Sequence, residues 1–356
     1  MDKRVILSVA GSGKTSLIIN DLDLNKRTII ISYTISNIEN ITNRIVQKFG
    51  YIPKNIKIYT YFSFLYSFCF KPLFYRAIEI KCNIKIKGIV YKQNPNYKIP
   101  KNKILHYVTS NGYLYSNRIS KLLMILDGNN EIFSRLEKYF DYLYIDEVQD
   151  FGGNDFNFIK TFSRLNLKVT FVGDFYQHTF DTSVDGNTNK NLFLDYNKYI
   201  STFTKSGFIV DTTSLSKSFR CTNNVCEFVT NNLGIQIFAN NTNLSKILEI
   251  NNDNKIKEII KCNNTVKLFY QEHHIYSIYS NNWGNSKGLD CYNDVCIILN
   301  RKSYDLYKNQ KLNELPNVTK NKLYVACTRS KNNIFFISES AFKKNIIDLL
   351  RKYRFT

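Results

Sequence analysis

Apolar residues in this chain gather into short unbroken runs closed by turn formers rather than into alternating ladders. Val5–Val9, Thr28–Ser32, Tyr142–Ile145, Val169–Val172, Val295–Leu299 and Ile334–Ile337 place mostly apolar side chains on successive positions. A strand needs that pattern only when both of its faces are covered, so these runs predict buried parallel strands. Helical candidates such as Ser36–Phe49 and Asn154–Phe162 lie between them. Strand, loop and helix in repetition predict an α/β fold, a mostly parallel, doubly wound sheet flanked by helices.

The rhythm breaks between about Lys81 and Lys121, a stretch rich in Lys, Asn and Tyr that carries Pro95 and Pro100 and few acids. It reads as an insertion on a first domain. A second Asn-rich stretch, roughly Asn240 to Asn264, reads as an insertion or link in a second domain. The chain has 356 residues, beyond the roughly 100–200 of one domain, so two domains are expected. No run approaches the roughly 18 apolar residues of a membrane span, and Tyr61–Phe70 is stopped by Lys71 and Pro72. The first apolar run, Val5–Leu7, is too short for the core of a signal peptide. A soluble, cytoplasmic protein with no membrane partner is the expectation.

Charge narrows the partners. Lys and Arg total 49 against 29 acids, a formal net charge of +20, which draws polyanions by long-range attraction. Nucleic acid is the first such partner to consider. The eight cysteines form no C-x-x-C pair and have no His at zinc-finger spacing, so they read as thiols of a reducing compartment.

Candidate chemistry begins at the first strand. Val5-Ile-Leu-Ser-Val-Ala-Gly-Ser-Gly-Lys-Thr15 runs from strand into a glycine-rich turn and then a helix from Ser16, and it meets G-x-x-x-x-G-K-[ST] except that Ser8 stands for the first glycine. Gly11 and Gly13 let backbone N–H groups converge on phosphate oxygens. Lys14 reaches the β- and γ-phosphates, and the Thr15 hydroxyl is a ligand for Mg²⁺. Farther on, Tyr142-Leu-Tyr-Ile-Asp-Glu-Val-Gln-Asp150 is a strand ending in adjacent carboxylates, at the edge where open α/β sheets place their ligands. Asp146 is expected to hold Mg²⁺ and Glu147 to polarise the attacking water.

Taken in order, these and the remaining segments resemble the UvrD/Rep-like branch of superfamily 1 DNA helicases. Ala10-Gly-Ser-Gly-Lys-Thr15 resembles motif I, Ile31-Ser-Tyr-Thr34 motif Ia and Tyr59-Thr-Tyr-Phe-Ser63 motif Ib. Asp146-Glu-Val-Gln-Asp150 resembles motif II and Val172-Gly-Asp-Phe-Tyr-Gln177 motif III. Ser216-Lys-Ser-Phe-Arg220 resembles motif IV, Asn285-Ser-Lys-Gly-Leu-Asp290 motif V and Leu323-Tyr-Val-Ala-Cys-Thr-Arg-Ser-Lys331 motif VI.

The resemblance implies two RecA-like P-loop NTPase domains: 1–205, with a small basic insertion at about 64–138, and 206–356. It implies ATP with Mg²⁺ in a cleft between them, contacted by Ala10, Gly11, Ser12, Gly13, Lys14, Thr15, Ser16, Phe219, Gly288 and Asp290. Gln177 would sense the γ-phosphate and the attacking water. Arg220 and Arg329 would neutralise the transferring phosphoryl group as arginine fingers do. Tyr33, Thr34, Phe62, Ser63 and Lys287 would hold a single strand of nucleic acid by stacking and backbone contacts. The implied activity is ATP-driven helicase or translocase movement on single-stranded DNA, 3′ to 5′.

Three departures from the family pattern carry expectations. The adenine-reading segment usually found upstream of motif I is not in this sequence, which predicts weak discrimination among nucleoside triphosphates. Asn282 and Gly284 replace the usual Thr and His of motif V, which predicts weakened coupling. The short stretch between motifs IV and V predicts either constitutive activity or dependence on an accessory protein. Two other readings share these residues: a viral-type superfamily 1 RNA helicase, against which Ser286-Lys-Gly-Leu argues, and a nucleic-acid-stimulated NTPase switch or defence subunit that does not unwind.

Overall fold

β1 (Lys3–Leu7) and β2 (Thr28–Ser32) form where apolar residues occupy consecutive positions. In β2 every residue is buried, as a strand covered on both faces requires. The computed structural model describes residues 2–91, 93, 95, 98–127, 130–180 and 186–353. Its contacts divide the chain into two compact units. The first comprises Met1–Leu7, Lys14–Gly173 and Asp181–Asp211; the second comprises Ser8–Gly13, Asp174–Phe180 and Thr212–Thr356.

In the first unit the chain continues through β3 (Ile56–Thr60), β4 (Gly88–Val90), β5 (Tyr113–Tyr115), β6 (Tyr142–Asp146), β7 (Lys168–Gly173) and β8 (Ile209–Asp211). Six of these form one sheet in the order β3-β2-β6-β7-β1-β8, with every pairing parallel. Parallel neighbours need crossovers, which the helices provide. One such helix, Ile35–Phe49, starts where the Thr34 side chain accepts the Asn37 N–H and ends at Gly50, whose φ of 80° only glycine adopts readily. The apolar run after motif Ib is a buried helix whose stretch Phe64–Phe70 is π-helical. β4 and β5 pair in a separate two-stranded parallel sheet inside the expected insertion, of which residues 92, 94, 96, 97, 128 and 129 lie outside the described ones.

The second unit holds β9 (Lys217–Ser218), β10 (Phe238–Ala239), β11 (Ile247–Glu249), β12 (Thr265–Phe269), β13 (Ser280–Asn282), β14 (Asp294–Leu299) and β15 (Ile334–Ser338). Five make a parallel sheet, β11-β15-β14-β12-β13, and β9 pairs with β10. Strand period two shows in β14. Val295, Ile297 and Leu299 enter one core with Leu323, Ala326 and Phe336, while Cys296 and Ile298 enter a second with Ile256, Ile260 and Phe342. Each Val, Leu, Ile or Phe side chain so buried contributes about 1.5–3 kcal/mol. Ala10 is wholly buried in the first of these cores, which is why the loop around it belongs to the second unit.

The α/β class with mostly parallel sheets is as expected, with differences of detail. β1 is Lys3–Leu7 rather than Val5–Val9, because from Ser8 the chain leaves the sheet to join the other unit. β3 and β8 lie at the sheet's edges with partly exposed residues, and their apolar runs are too broken to stand out. β12 hid behind Lys267, a fully buried lysine whose Nζ donates to the carbonyls of Cys262 and Thr265 at 2.7 and 3.1 Å. Among the described residues, no helix is long and apolar enough to cross a membrane.

Candidate active site

The loop leaving β1 has two left-handed glycines, Gly11 at φ 71° and Gly13 at φ 88°, the geometry that turns successive N–H groups to one side. Ser8 has no positive φ, so a serine stands at the pattern's first glycine without backbone strain. Gly11 has a second reason to be glycine. A Cβ there would lie 2.7 Å from Ser218 Oγ and 2.8 Å from Arg220 Cβ, and its carbonyl accepts the Phe219 N–H at 2.9 Å. Ser12 Oγ is buried and makes no hydrogen bond to a described residue, as suits a hydroxyl that meets a phosphate oxygen. The Ser16 hydroxyl accepts from Arg44 Nη1 at 2.9 Å.

Beyond the loop, the helix Lys14–Asn20 carries Lys14 and Thr15 toward the end of β6. The Thr15 hydroxyl donates to Asp146 Oδ2 at 3.3 Å, and Lys14 Nζ lies 3.9 Å from Glu147 Oε1. Glu147 sits at φ 57°, a left-handed conformation that costs an L-residue about 1–2 kcal/mol. The Gln149 amide donates to Glu147 Oε2, and the Glu147 N–H donates to Asp146 Oδ1 at 3.0 Å. The close of β7 packs tightly here, since a Cβ on Gly173 would lie 2.8 Å from Val148 Cγ1 and 3.0 Å from its N. That approach is the physical reason for glycine in Val172-Gly-Asp174.

Thr15 and Asp146 fit a hard divalent cation. They offer two oxygens whose 3.3 Å separation is near the about 3 Å between adjacent ligands of an octahedral Mg²⁺. Burial, reinforced by the Glu147 charge, pushes the Asp146 carboxyl up to about 7 without a cation. The folded state therefore holds a proton that the unfolded chain releases near 4, so stability falls as pH rises from about 4 to 7 and stays lowered above. Asp146→Asn removes that loss. Without nucleotide and metal, its melting temperature is expected to exceed the wild type's by a few degrees at pH 8 and by less at pH 5, read by calorimetry. An equal difference at both values would reject the assignment.

In the second unit, Arg220 is mostly buried, pairs with Asp290 and donates to the Thr328 carbonyl at 3.2 Å. Arg329 is 1% exposed, and its Nε and Nη1 donate to the carbonyls of Val325 and Leu289 at 3.3 and 3.1 Å. Burial, with the Arg220 charge nearby, brings its guanidinium down to about 10. Gln177, 3% exposed, donates to Asp174 Oδ2 at 2.8 Å. Phe219 is 64% exposed, which removes a core role for that ring. Gly288 is left-handed at φ 81°. Asp290, expected at the nucleotide, is here the partner of Arg220.

Tyr324 was not among the expected site residues. Its wholly buried hydroxyl accepts the Ala10 N–H at 2.8 Å and donates to Asp174 Oδ2 at 2.9 Å, so it joins the phosphate loop to the carboxylate that holds Gln177. Its sequence signal was a lone hydroxyl in the apolar segment Leu323-Tyr-Val-Ala-Cys327.

The expected nucleic-acid residues divide by surroundings. Tyr33 packs against Tyr61, Phe62 and Phe151 at 5.3–5.7 Å, and its hydroxyl donates to Asp155 at 3.4 Å, so its ring is already engaged on several sides. Thr34 serves as the cap of Ile35–Phe49. Ser63 is exposed, its N–H bonded to Thr60 Oγ1 at 3.2 Å; Phe62 and Lys287 are half-buried.

No family model matches the chain, and no curated protein matches it. Among solved structures, it is similar to an arterivirus nonstructural protein 10 helicase at 14% identity and TM-score 0.48, covering 94% of this chain and 59% of that one. It is also similar to the PRRSV helicase, at 12% identity and TM-score 0.45, covering 95% and 52%. A third similar structure is the arterivirus protein in complex with DNA, at 14% identity and TM-score 0.47, covering 95% and 61%. The chain thus spans between about half and three-fifths of the length of these structures.

Proposed function

We propose that this chain is an ATP-hydrolysing motor of superfamily 1 that moves 3′ to 5′ on single-stranded DNA. The observation that carries the reading is one cluster at the end of β6, the Thr15 hydroxyl 3.3 Å from Asp146 and the Lys14 ammonium 3.9 Å from Glu147, with Lys14 and Thr15 directly after a loop with two left-handed glycines in the sequence. On this reading the loop's N–H groups and Lys14 hold the triphosphate, and Glu147 orients and deprotonates the attacking water. Thr15 and Asp146 hold Mg²⁺, which when bound offsets negative charge on the phosphates. Gln177, fixed through Asp174, reports on the γ-phosphate. Arg220 and Arg329 meet the transferring phosphoryl with planar donors, Gly288 lies along the nucleotide's path, and Phe219 offers an exposed ring to the base. Phe62, Ser63, Thr34, Tyr33 and Lys287 face the strand.

The test is ATP hydrolysis with Mg²⁺, measured alone, with single-stranded DNA and with single-stranded RNA, beside strand displacement on a duplex with a 3′ overhang. Stimulation by DNA together with displacement is the expected result. Larger stimulation by RNA favours the viral-type RNA helicase, and stimulated hydrolysis with neither displacement nor translocation favours a switch. Hydrolysis that no strand stimulates sinks the reading.

A further inference from the structure

Outside the motifs of the resemblance, the Lys81–Lys121 stretch is chemically lopsided. It contains eight Lys and one Arg with no Asp or Glu, although acids make up 29 residues of the whole chain. Within it the segment leading through β4 leaves Lys85 and Lys87 exposed and buries Ile86 between them, then ends at Tyr91, which is 54% exposed. Tyr91 is not an isolated surface ring. It meets Phe62 edge to face with centroids 5.3 Å apart and planes at 82°, and Phe62 in turn meets Tyr33 at 5.4 Å. Aromatic rings therefore run without a gap from the strand-end residue Tyr33 through Phe62 to the basic insertion. The inner member of that row is half-buried among its neighbours, and the outer member is more than half exposed. Rings backed by other rings keep a fixed orientation, and a fixed, exposed ring next to cations is what sequence-tolerant single-strand binding uses, with bases stacking and phosphates paired.

We propose that Tyr91 is a base-stacking residue for single-stranded nucleic acid, buttressed by Phe62, with Lys85 and Lys87 contacting the flanking phosphates. The proposal rests on the reading of the chain as a nucleic-acid motor and adds a contact from the insertion to it. It adds to the half-buried ring of Tyr33 a second, more exposed ring farther along the same row. Its affinity follows stacking and charge, so it does not discriminate sequence, and the lysines supply the salt-sensitive part.

The experiment titrates the full chain into a fluorescein-labelled oligothymidine and into an oligonucleotide carrying 2-aminopurine, for wild type, Tyr91→Ala, Tyr91→Phe and the double variant Lys85→Ala, Lys87→Ala. Stacking of one base is worth about 1–3 kcal/mol, so Tyr91→Ala should weaken binding about 5- to 150-fold and lessen 2-aminopurine quenching. Tyr91→Phe should bind as the wild type does, because the ring stacks without its hydroxyl. The lysine variant should lower the slope of log K against log salt by about 1.4, at about 0.7 per phosphate contact. Because Tyr91 is more than half exposed, the melting temperature of Tyr91→Ala should match the wild type's and show that the fold is intact. Binding by Tyr91→Ala equal to the wild type's overturns the proposal and leaves the motor reading standing. So does a loss in Tyr91→Phe as large as in Tyr91→Ala, since that assigns the effect to the hydroxyl. A wild type that binds neither oligonucleotide overturns both.

Discussion

Arg220→Ala is expected to lower kcat for ATP hydrolysis by about 10³-fold or more, the scale on which an arginine meeting the transferring phosphoryl group acts. The side chain is 13% exposed, and its Cβ stands so near the phosphate loop that Gly11 tolerates no Cβ of its own. Asp290 and the Thr328 carbonyl hold its guanidinium in one orientation. Its partner Asp290 is 53% exposed, so losing the pair strands no buried charge and should change stability little. Arg220→Lys should restore only a small part of the rate, because an ammonium lacks the planar fork that spans two phosphoryl oxygens. Steady-state hydrolysis together with equilibrium binding of a fluorescent ATP analogue separates the outcomes. A fall in kcat under tenfold with binding intact would confine Arg220 to holding Asp290.

Replacing Glu147 by Gln is expected to lower kcat by about 10²–10⁴-fold, the range of a positioned general base. The substitution keeps the side chain's shape and an oxygen able to accept from the Gln149 amide while removing the basic oxygen. Removing one negative charge 3.9 Å from Lys14 Nζ should hold or tighten ATP binding, so the loss belongs in kcat and not in KM. Single-turnover hydrolysis with ATP at saturation reads this directly. A variant within threefold of the wild type would mean that the water is activated elsewhere.

The identity of the chemical groups was legible along the chain, because it depends on local order. A glycine-rich turn after a strand and paired acids after another are each set by neighbours a few residues apart, and unbroken apolar runs declared the strands that carry them. Thr15, Asp146, Glu147 and Lys14 accordingly lie together, although 131 residues separate Thr15 from Asp146. Parallel pairing of β1 and β6 with a shared neighbour, β7, brings their ends to one edge of the sheet.

What the sequence by itself determined was the class of fold and which chemical groups stand after its strands. Tertiary structure alone decided which of them are accessible and to what they are committed. Tyr33 and Phe62 look alike as aromatic residues at strand and helix ends, yet packing turns the first toward Phe151 and Asp155 and sets the second against Tyr91. That Asp290 pairs with Arg220, and that the Tyr324 hydroxyl meets Ala10 and Asp174, appears only in the packed structure. Periodicity and spacing report only on residues within a turn or two. Hydrogen bonds between positions more than 300 residues apart, such as that from Ala10 to Tyr324, depend on how whole sheets and helices pack, and no local pattern encodes them.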